Sequence, residues 1–426
     1  MNNKLIYIVA LGALVGVQPV FALDLRDSVL AALSRVEEAK IGAIQLKQSK
    51  IQVESAEADF YPTLSVRLRT GPEYNDPGFN EGESEDLYYA NSLQTNITQP
   101  LLDGQSREFT LESRKLSLKS LEHQVKSVLE RVSFDVVTSY LNVVYQQEVV
   151  NTLQRNLRTL KTIELQVNRQ TQAGTLSAAD EQQVRARVVG AEATLSRALL
   201  TLSEVEFAYT KLVGPIENDM VVPFDVPDFH FEEYSVVSDS VQINNTGLKQ
   251  ATYNRLGSLA DLNVAKAARW PVMNLEGRTQ YSSTLVGGSG EVINAGIYLN
   301  INYNYSFGGS IGLAIDRAEE RSKELALLKQ LLNRDTETSL QTQYSNYQSF
   351  KNVIDSIKRE IIANELVLNA QEEQQKLGTG RVIDLVNAQE RLNDARIRLL
   401  NNQRDSQLNR YQLLQTMGQL LEFFEV

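Results

Sequence analysis

Ala58-Asp-Phe-Tyr-Pro-Thr-Leu-Ser-Val66, Leu101-Leu-Asp-Gly104 and Ala173-Gly-Thr-Leu-Ser-Ala-Ala-Asp180 have counterparts later in the chain. Those are Ala268-Arg-Trp-Pro-Val-Met-Asn-Leu275, Ser306-Phe-Gly-Gly309 and Leu377-Gly-Thr-Gly-Arg-Val-Ile-Asp384. Corresponding landmarks lie roughly 205 residues apart, far beyond the length of a solenoid unit, so the chain carries one duplicated half and not an array.

Outward from these landmarks the hydrophobic period changes twice in each half. Leu25, Val29, Leu33 and Val36 recur at three and four, which predicts a helix over 25–59 that Pro62 stops. The period then drops to two: Leu64, Val66 and Leu68 oppose Ser65, Arg67 and Arg69, and Leu93, Thr95 and Ile97 oppose Gln94, Asn96 and Thr98. Between these strands, residues 71–86 hold Gly, Pro, Asn and several acids and read as an exposed loop. After Gly104 the helical period returns, with Val125, Leu129, Val132, Val136 and Tyr140 on one stripe. No strong breaker follows until Gly174, and some 65 helical residues would make a rod of about 100 Å. A second helix returns from Ser177 to about Leu212, where Gly214-Pro215 ends it.

The second half repeats this order after an irregular connector at 214–240, which carries Pro223 and Pro227 among aromatics. A helix is expected over 241–269, strands near 272–282 and 293–303, a rod over 310–376, and a return helix to Gly418. The clearest strand alternates Ile293, Ala295, Ile297, Leu299, Ile301 and Tyr303 with Asn294, Gly296, Tyr298, Asn300 and Asn302. The divisions that follow are 1–22, 23–213, 214–240, 241–418 and a tail at 419–426.

Residues 1–22 read as an export signal. Lys4 precedes an apolar run from Leu5 to Val17, and Val20-Phe-Ala22 offers small residues for cleavage. Asp24, Arg26 and Asp27 follow without a stop-transfer pattern, against an uncleaved anchor. No other apolar stretch approaches the ~20 residues of a transmembrane helix. The absence of cysteine excludes disulfides, thiolate metal sites and a lipidated cysteine. The net charge of −11 argues against nucleic acid as a partner.

In an exported chain, strands with one apolar and one polar face suit a barrel with lipid outside and water inside. A half-buried soluble sheet is the competing reading, and the asparagine-rich face of 294–304 tells against it. Four strands cannot close such a barrel, and open edges are not tolerated in lipid, so several chains must share one. Three chains would supply twelve strands. The rods carry an apolar stripe with Gln, Asn, Ser and charges elsewhere, so packing them around an axis buries the stripes and leaves a polar bore. A plain antiparallel coiled coil competes, but it leaves the strands at equivalent points of both halves without a role.

In order and spacing, Phe60-Tyr-Pro-Thr-Leu64, the Gly104 and Gly308-Gly309 turns, and the two Gly-x5-Asp runs resemble the TolC family of outer-membrane efflux proteins. Ala388, Leu392, Ala395, Leu399 and Leu400, leading to Tyr411–Gly418, extend the resemblance over essentially the whole mature chain. It implies a mainly α fold with a β-barrel portion: a homotrimer whose twelve-stranded barrel in outer-membrane lipid continues as a long periplasmic α-helical barrel. It also implies a passive exit duct that an adaptor joins to an inner-membrane pump of the ABC or RND type. The cargo would be secreted protein or small toxic compounds. A periplasmic adaptor is the alternative function, but adaptors carry one helical hairpin, not two. A diffusion porin is disfavoured because about two thirds of the mature chain reads helical.

The candidate sites sit at the helical reversals. Gly174, Thr175, Gly378 and Thr379 are the expected adaptor-docking turns. Asp180 and Asp384, six residues past the two glycines, suit the first turns of the return helices, where an acid is favourable in any case. The resemblance implies that Asp384 belongs to an acidic ring at the closed periplasmic mouth. Relatives place a second acid three residues on, where this chain has Asn387, so the ring would carry three carboxylates in a trimer instead of six. At the tyrosine and arginine of the family's latch stand Gln375 and Gly380, with Arg381 one residue later, ~100° around a helix. Asp180 is the acid such a latch would engage. His123 and His230 are too far apart to suggest a metal pair, and Gly287-Gly-Ser-Gly290 lacks the Lys-Ser/Thr of a phosphate loop. The acids Asp76, Glu81, Glu83, Glu85 and Asp86 read as a solvated loop. No cofactor and no catalytic set is expected.

Overall fold

Hydrophobic period and Gly/Pro punctuation lay out the helices and strands of the computed structural model, which describes residues 24–75, 86–216, 233–284 and 291–426. The leader, His230, most of the connector, the acids Asp76, Glu81, Glu83 and Glu85, and the Gly287–Gly290 loop lie outside these residues. The first half runs α1 (Leu25–Arg35), α2 (Glu37–Ala58), β1 (Thr63–Asn75), β2 (Asp86–Leu102), α3 (Ser106–Gln172) and α4 (Ala178–Leu212). The second runs α5 (Tyr234–Asn244), α6 (Thr246–Ala267), β3 (Val272–Thr284), β4 (Glu291–Asn302), α7 (Ser310–Lys376) and α8 (Val382–Met417), followed by α9 (Leu420–Phe423). Helix lengths repeat almost residue for residue: 11, 22, 67 and 35 in the first half, 11, 22, 67 and 36 in the second.

Several expectations need correction. Residues 71–75, expected to open an exposed loop, continue β1 to Asn75, paired with β2. The single helix expected over 25–59 is two, because Val36 adopts extended geometry (φ −65°, ψ 132°) and buries its side chain in a core. Glu37 and Glu38 then open α2, where acids complement the helix dipole. The second half does the same at Asn245 (φ −56°, ψ 122°), whose amide donates to the Thr416 carbonyl at 2.8 Å. As a result residues 234–240, expected to be irregular connector, are the start of α5. Periodicity missed both breaks because one extended residue barely disturbs an i, i+3, i+4 pattern.

The chain divides into two compact units. The first takes in residues up to Ala43, Gln124–Gly247 and Leu332–Val426. Its largest core gathers Leu25, Val29 and Ala32 of α1, Val136, Tyr140 and Leu141 of α3, Tyr209 of α4 and Tyr411 and Leu414 of α8. The buried Tyr209 hydroxyl is satisfied by Ser28 Oγ at 2.8 Å. Leu420, Leu421 and Phe424 seal this core, so the residues after Gly418 are packed structure and not a loose tail.

The second unit, Ile44–His123 with Leu248–Leu331, contains an antiparallel sheet ordered β1-β2-β3-β4. β2 continues through Pro100 because a register shift between Pro100 and Leu102 absorbs the missing donor. Cross-strand partners share a face, so the register sorts the side chains. One face carries the rows Leu64–Ile97–Gly277–Ile297, Val66–Thr95–Thr279–Ala295 and Leu68–Leu93–Tyr281–Ile293. The other carries Ser65–Asn96–Arg278–Gly296 and Arg67–Gln94–Gln280–Asn294. Leu68, Ile293 and Ile297 are 72–79 % exposed, so among the described residues no layer covers the apolar face. The sheet is not closed: β1 and β4 each have a strand neighbour on one side only.

Candidate functional site

The reversals at Gly174 and Gly378 are the same turn built twice. Helix α3 ends as the Thr175 N–H reaches the Gln170 carbonyl at 2.9 Å and the Gly174 N–H reaches Thr171 at 3.0 Å. Helix α7 ends as Thr379 N–H reaches Gln374 at 3.0 Å and Gly378 N–H reaches Gln375 at 3.1 Å. These are the 6→1 and 5→2 bonds of a Schellman cap, which needs a left-handed residue between them. Gly174 (φ +73°) and Gly378 (φ +72°) supply it, and open space surrounds both. The Thr175 and Thr379 hydroxyls add bonds to the Gln170 and Gln374 carbonyls, at 2.9 and 3.2 Å.

Asp180 is placed by a capping exchange. Ser177 Oγ accepts from the Asp180 N–H at 3.1 Å and donates to Asp180 Oδ2 at 2.7 Å, so this acid is held by its own helix. Arg381 is the N-cap of α8 without a side-chain cap bond, and it is exposed. Among the described residues it pairs with no acid. Asp384 lies in the first turn of α8, partly exposed. Gly380 N–H also reaches the Gln374 carbonyl at 3.0 Å, and a Cβ on Gly380 would stand 2.9 Å from Gln374 Cβ. A side chain at position 380 would therefore require the end of α7 to shift. The Gln375 side-chain Oε1 and its counterpart, Thr171 Oγ1, are buried without a hydrogen-bond partner among the described residues.

Beneath the turns, Leu160, Ile163 and Val167 of α3 pack with Val184 and Val188 of α4 and Val382, Leu385 and Val386 of α8. Ionic and amide contacts at the margins tie the helices. Gln389 Nε2 donates to Asn156 Oδ1 at 2.9 Å, both buried, and Lys161 meets Glu192 at 2.6 Å. Arg396 meets Glu365 at 2.7 Å, and Arg398 pairs with Glu360.

Asn387 belongs to a further tie between helices that sequence reading did not anticipate. Arg187 of α4 reaches across to α8, with one nitrogen 3.1 Å from Glu390 Oε2 and another 3.5 Å from Asn387 Oδ1. Burial raises the Glu390 carboxyl above its ordinary range, the Arg187 guanidinium opposes that rise, and Asp394 adds to it. Sequence spacing carried no signal for it: Arg391 follows Asp384 by seven residues just as Arg187 follows Asp180, yet the tie runs from Arg187 to Glu390 and Asn387. The structure therefore brings Asn387 together with Arg187 and Glu390, and Asp180 together with Ser177. It places Asp384 and Arg381 in the same opening turn of α8. Among the described residues no group of His, Cys, Asp and Glu could hold a metal ion.

Comparison with known proteins adds a consistent picture. The family model described as outer membrane efflux protein matches twice, over residues 30–214 and 237–419. The outer membrane efflux protein BepC of Brucella suis biovar 1 (strain 1330) is 19 % identical over 327 residues, covering 76 % of this chain and 71 % of BepC. The CusC structure aligns with a TM-score of 0.82 at 16 % identity, covering 94 % of this chain and 95 % of CusC. The outer membrane protein VceC from Vibrio cholerae aligns at 0.80 and 14 % identity, covering 92 % and 96 %.

Proposed function

Since the chain belongs to the outer membrane efflux protein family, we propose that it is the exit duct of a tripartite export system. It is an outer-membrane channel reaching into the periplasm, and not an enzyme. In this reading three copies complete one twelve-stranded barrel, and an adaptor joins them to an ABC or RND-type pump that supplies the energy. Cargo, whether secreted protein or small toxic compounds, crosses passively.

The observation that carries the reading is the two-faced, unclosed sheet. An apolar face exposed along its middle rows and a polar face behind it suit a wall between lipid and water, and unpaired strand edges are too costly to leave in a bilayer. Further copies of the same chain would pair β1 with β4 and remove both edges.

The turns at Gly174–Thr175 and Gly378–Thr379 are the proposed adaptor contacts, and Asp384 is the proposed acid of the closed mouth. Asn387 and Arg187 tie α4 to α8 beside it, and closure at Gln375, Gly380 and Arg381 would use other bonds than the tyrosine and arginine of the family's latch. Asp180 serves its helix cap. Membrane fractionation with native mass measurement tests the assembly: a trimer is expected in the outer-membrane fraction. A soluble periplasmic monomer would overturn the reading.

A further inference from the structure

The polar face of the sheet carries three arginines and three acids, and one of the arginines stands in a neutral row. Arg67, Arg69 and Arg278 share that face with Glu73, Glu276 and Asp86, the last at the start of β2 opposite Asn75. Arg278 is engaged by Glu276 at 3.1 Å, and Glu276 also accepts from Asn300 Nδ2 at 2.6 Å. Arg69 lies 3.5 Å from Glu73. Arg67 meets no acid among the described residues. Its row continues through Gln94, Gln280 and Asn294, which are neutral, and its side chain is exposed. The row beside it holds Ser65, Asn96 and Arg278. In the middle rows of the sheet this face is therefore an uncharged amide lining that bears arginine.

We infer that Arg67 forms a cationic ring in the lumen of the barrel and selects anions, including the anionic groups of cargo, as they pass the outer membrane. The inference rests on the channel proposed above, in which the apolar face meets lipid and each copy contributes one Arg67. A guanidinium remains charged at any working pH and presents a planar fork to carboxylate and phosphate, so the ring is permanent. Its neutral neighbours can hydrogen-bond a passing solute without cancelling that charge. In water, Coulomb's law gives about a twofold change in the local concentration of a monovalent ion for each unit charge about 10 Å away. Its sign is opposite to that of the carboxylates proposed at the periplasmic mouth. The two ends of the duct would discriminate differently.

Reversal potentials in a potassium chloride gradient across planar bilayers test the ring, using the full-length wild-type protein and its Arg67→Glu and Arg67→Lys variants. Arg67→Glu is expected to raise the potassium-to-chloride permeability ratio about fourfold or more, and Arg67→Lys to leave it near wild type. An unchanged ratio in a conducting Arg67→Glu channel overturns the ring. Absence of conductance in every protein, wild type included, would instead count against the channel itself. Should Arg67→Glu fail to assemble, the lack of native cysteine allows a second measurement. Arg67→Cys should react with water-borne thiol reagents while the neighbouring Val66→Cys, on the other face, stays protected. Equal reactivity at both positions, or the reverse order, overturns the assignment of faces.

Discussion

Arg187 lies close enough to Asn387 to change what an acid at that position would do. A carboxylate replacing the Asn387 amide would face a guanidinium already within 3.5 Å, so it would form an ion pair instead of adding freely to a ring of like charge. Asp384→Ala is therefore expected to lower cation selectivity and divalent block with trimers intact. Asn387→Asp alone should change selectivity little, and the same substitution in an Arg187→Ala background should raise it. Planar-bilayer recordings of the four proteins decide. Unchanged selectivity in Asp384→Ala would return that residue to a helix-terminal acid, worth ~0.3–1 kcal/mol. Glu130 offers a second residue-scale test. It is 2 % exposed, accepts from the Leu420 N–H at 3.2 Å, and its carboxyl is raised to about 7. Burial causes the rise, and Lys126 and the backbone N–H groups of Leu421 and Leu420 oppose it. Because the folded value lies above the unfolded one, the docked C-terminal segment is most stable below about pH 4.5 and loses stability as pH climbs through about 7. Protection factors at 420–424, with the intrinsic base-catalysed exchange divided out, should fall over that window by an amount reflecting a few kcal/mol. Glu130→Gln keeps an acceptor for Leu420 and should abolish the dependence. A pH-independent wild type would contradict the assignment.

At the scale of elements, the left-handed glycines separate backbone strain from crowding. Gly378 has open space around it, so Gly378→Ala should cost about 1–2 kcal/mol in local stability, the left-handed penalty alone. Gly418, at φ +68°, ends α8, and a Cβ there would stand 2.5 Å from the Asn244 carbonyl oxygen. Lys126 Nζ also holds the Gly418 carbonyl at 3.2 Å. Gly418→Ala should therefore destabilise by clearly more than Gly378→Ala in thermal unfolding of the purified protein. Equal losses would mean that the Asn244–Asn245 break yields easily. That break and its counterpart at Val36 follow two 11-residue helices, so each half begins with a short helix set apart from the longer one after it.

At the scale of the whole molecule, duplication means that each copy presents two helical turns, the proposed docking points, that are alike but not identical. Both carry the same Schellman geometry and a threonine bonded back to the helix, yet α4 has a serine cap and α8 has none. A trimer would thus offer an adaptor six tips of two kinds. Thr175→Cys and Thr379→Cys should each crosslink to the adaptor, and the two yields should differ. Crosslinking confined to residues near the connector would contradict docking at the tips.

The duplication, the alternation of strands and helices, and the Gly-x5-Asp reversals were readable because each rests on local chemistry. Period two marks a two-faced strand, period 3.6 an amphipathic helix, and glycine a left-handed cap. The equal 67-residue rods α3 and α7 followed from nothing more than a lack of breakers. Other features depended on groups distant in sequence. Val36 and Asn245 leave helical geometry where tertiary partners reward it, a buried core in one case and the Thr416 carbonyl in the other. The pairing of β2 with β3 joins residues almost two hundred positions apart, and with the two hairpin registers it aligns Arg67 with Gln280 and Asn294. Arg187 looked like any surface arginine until α4 and α8 lay side by side, and Glu130 like any rod acid until the chain's last turn closed over it. Short-range periodicity encodes which face of an element is apolar. Which charge ends up beside which is decided only when the elements pack, because Coulomb and hydrogen-bond energies depend on distance in space and not along the chain.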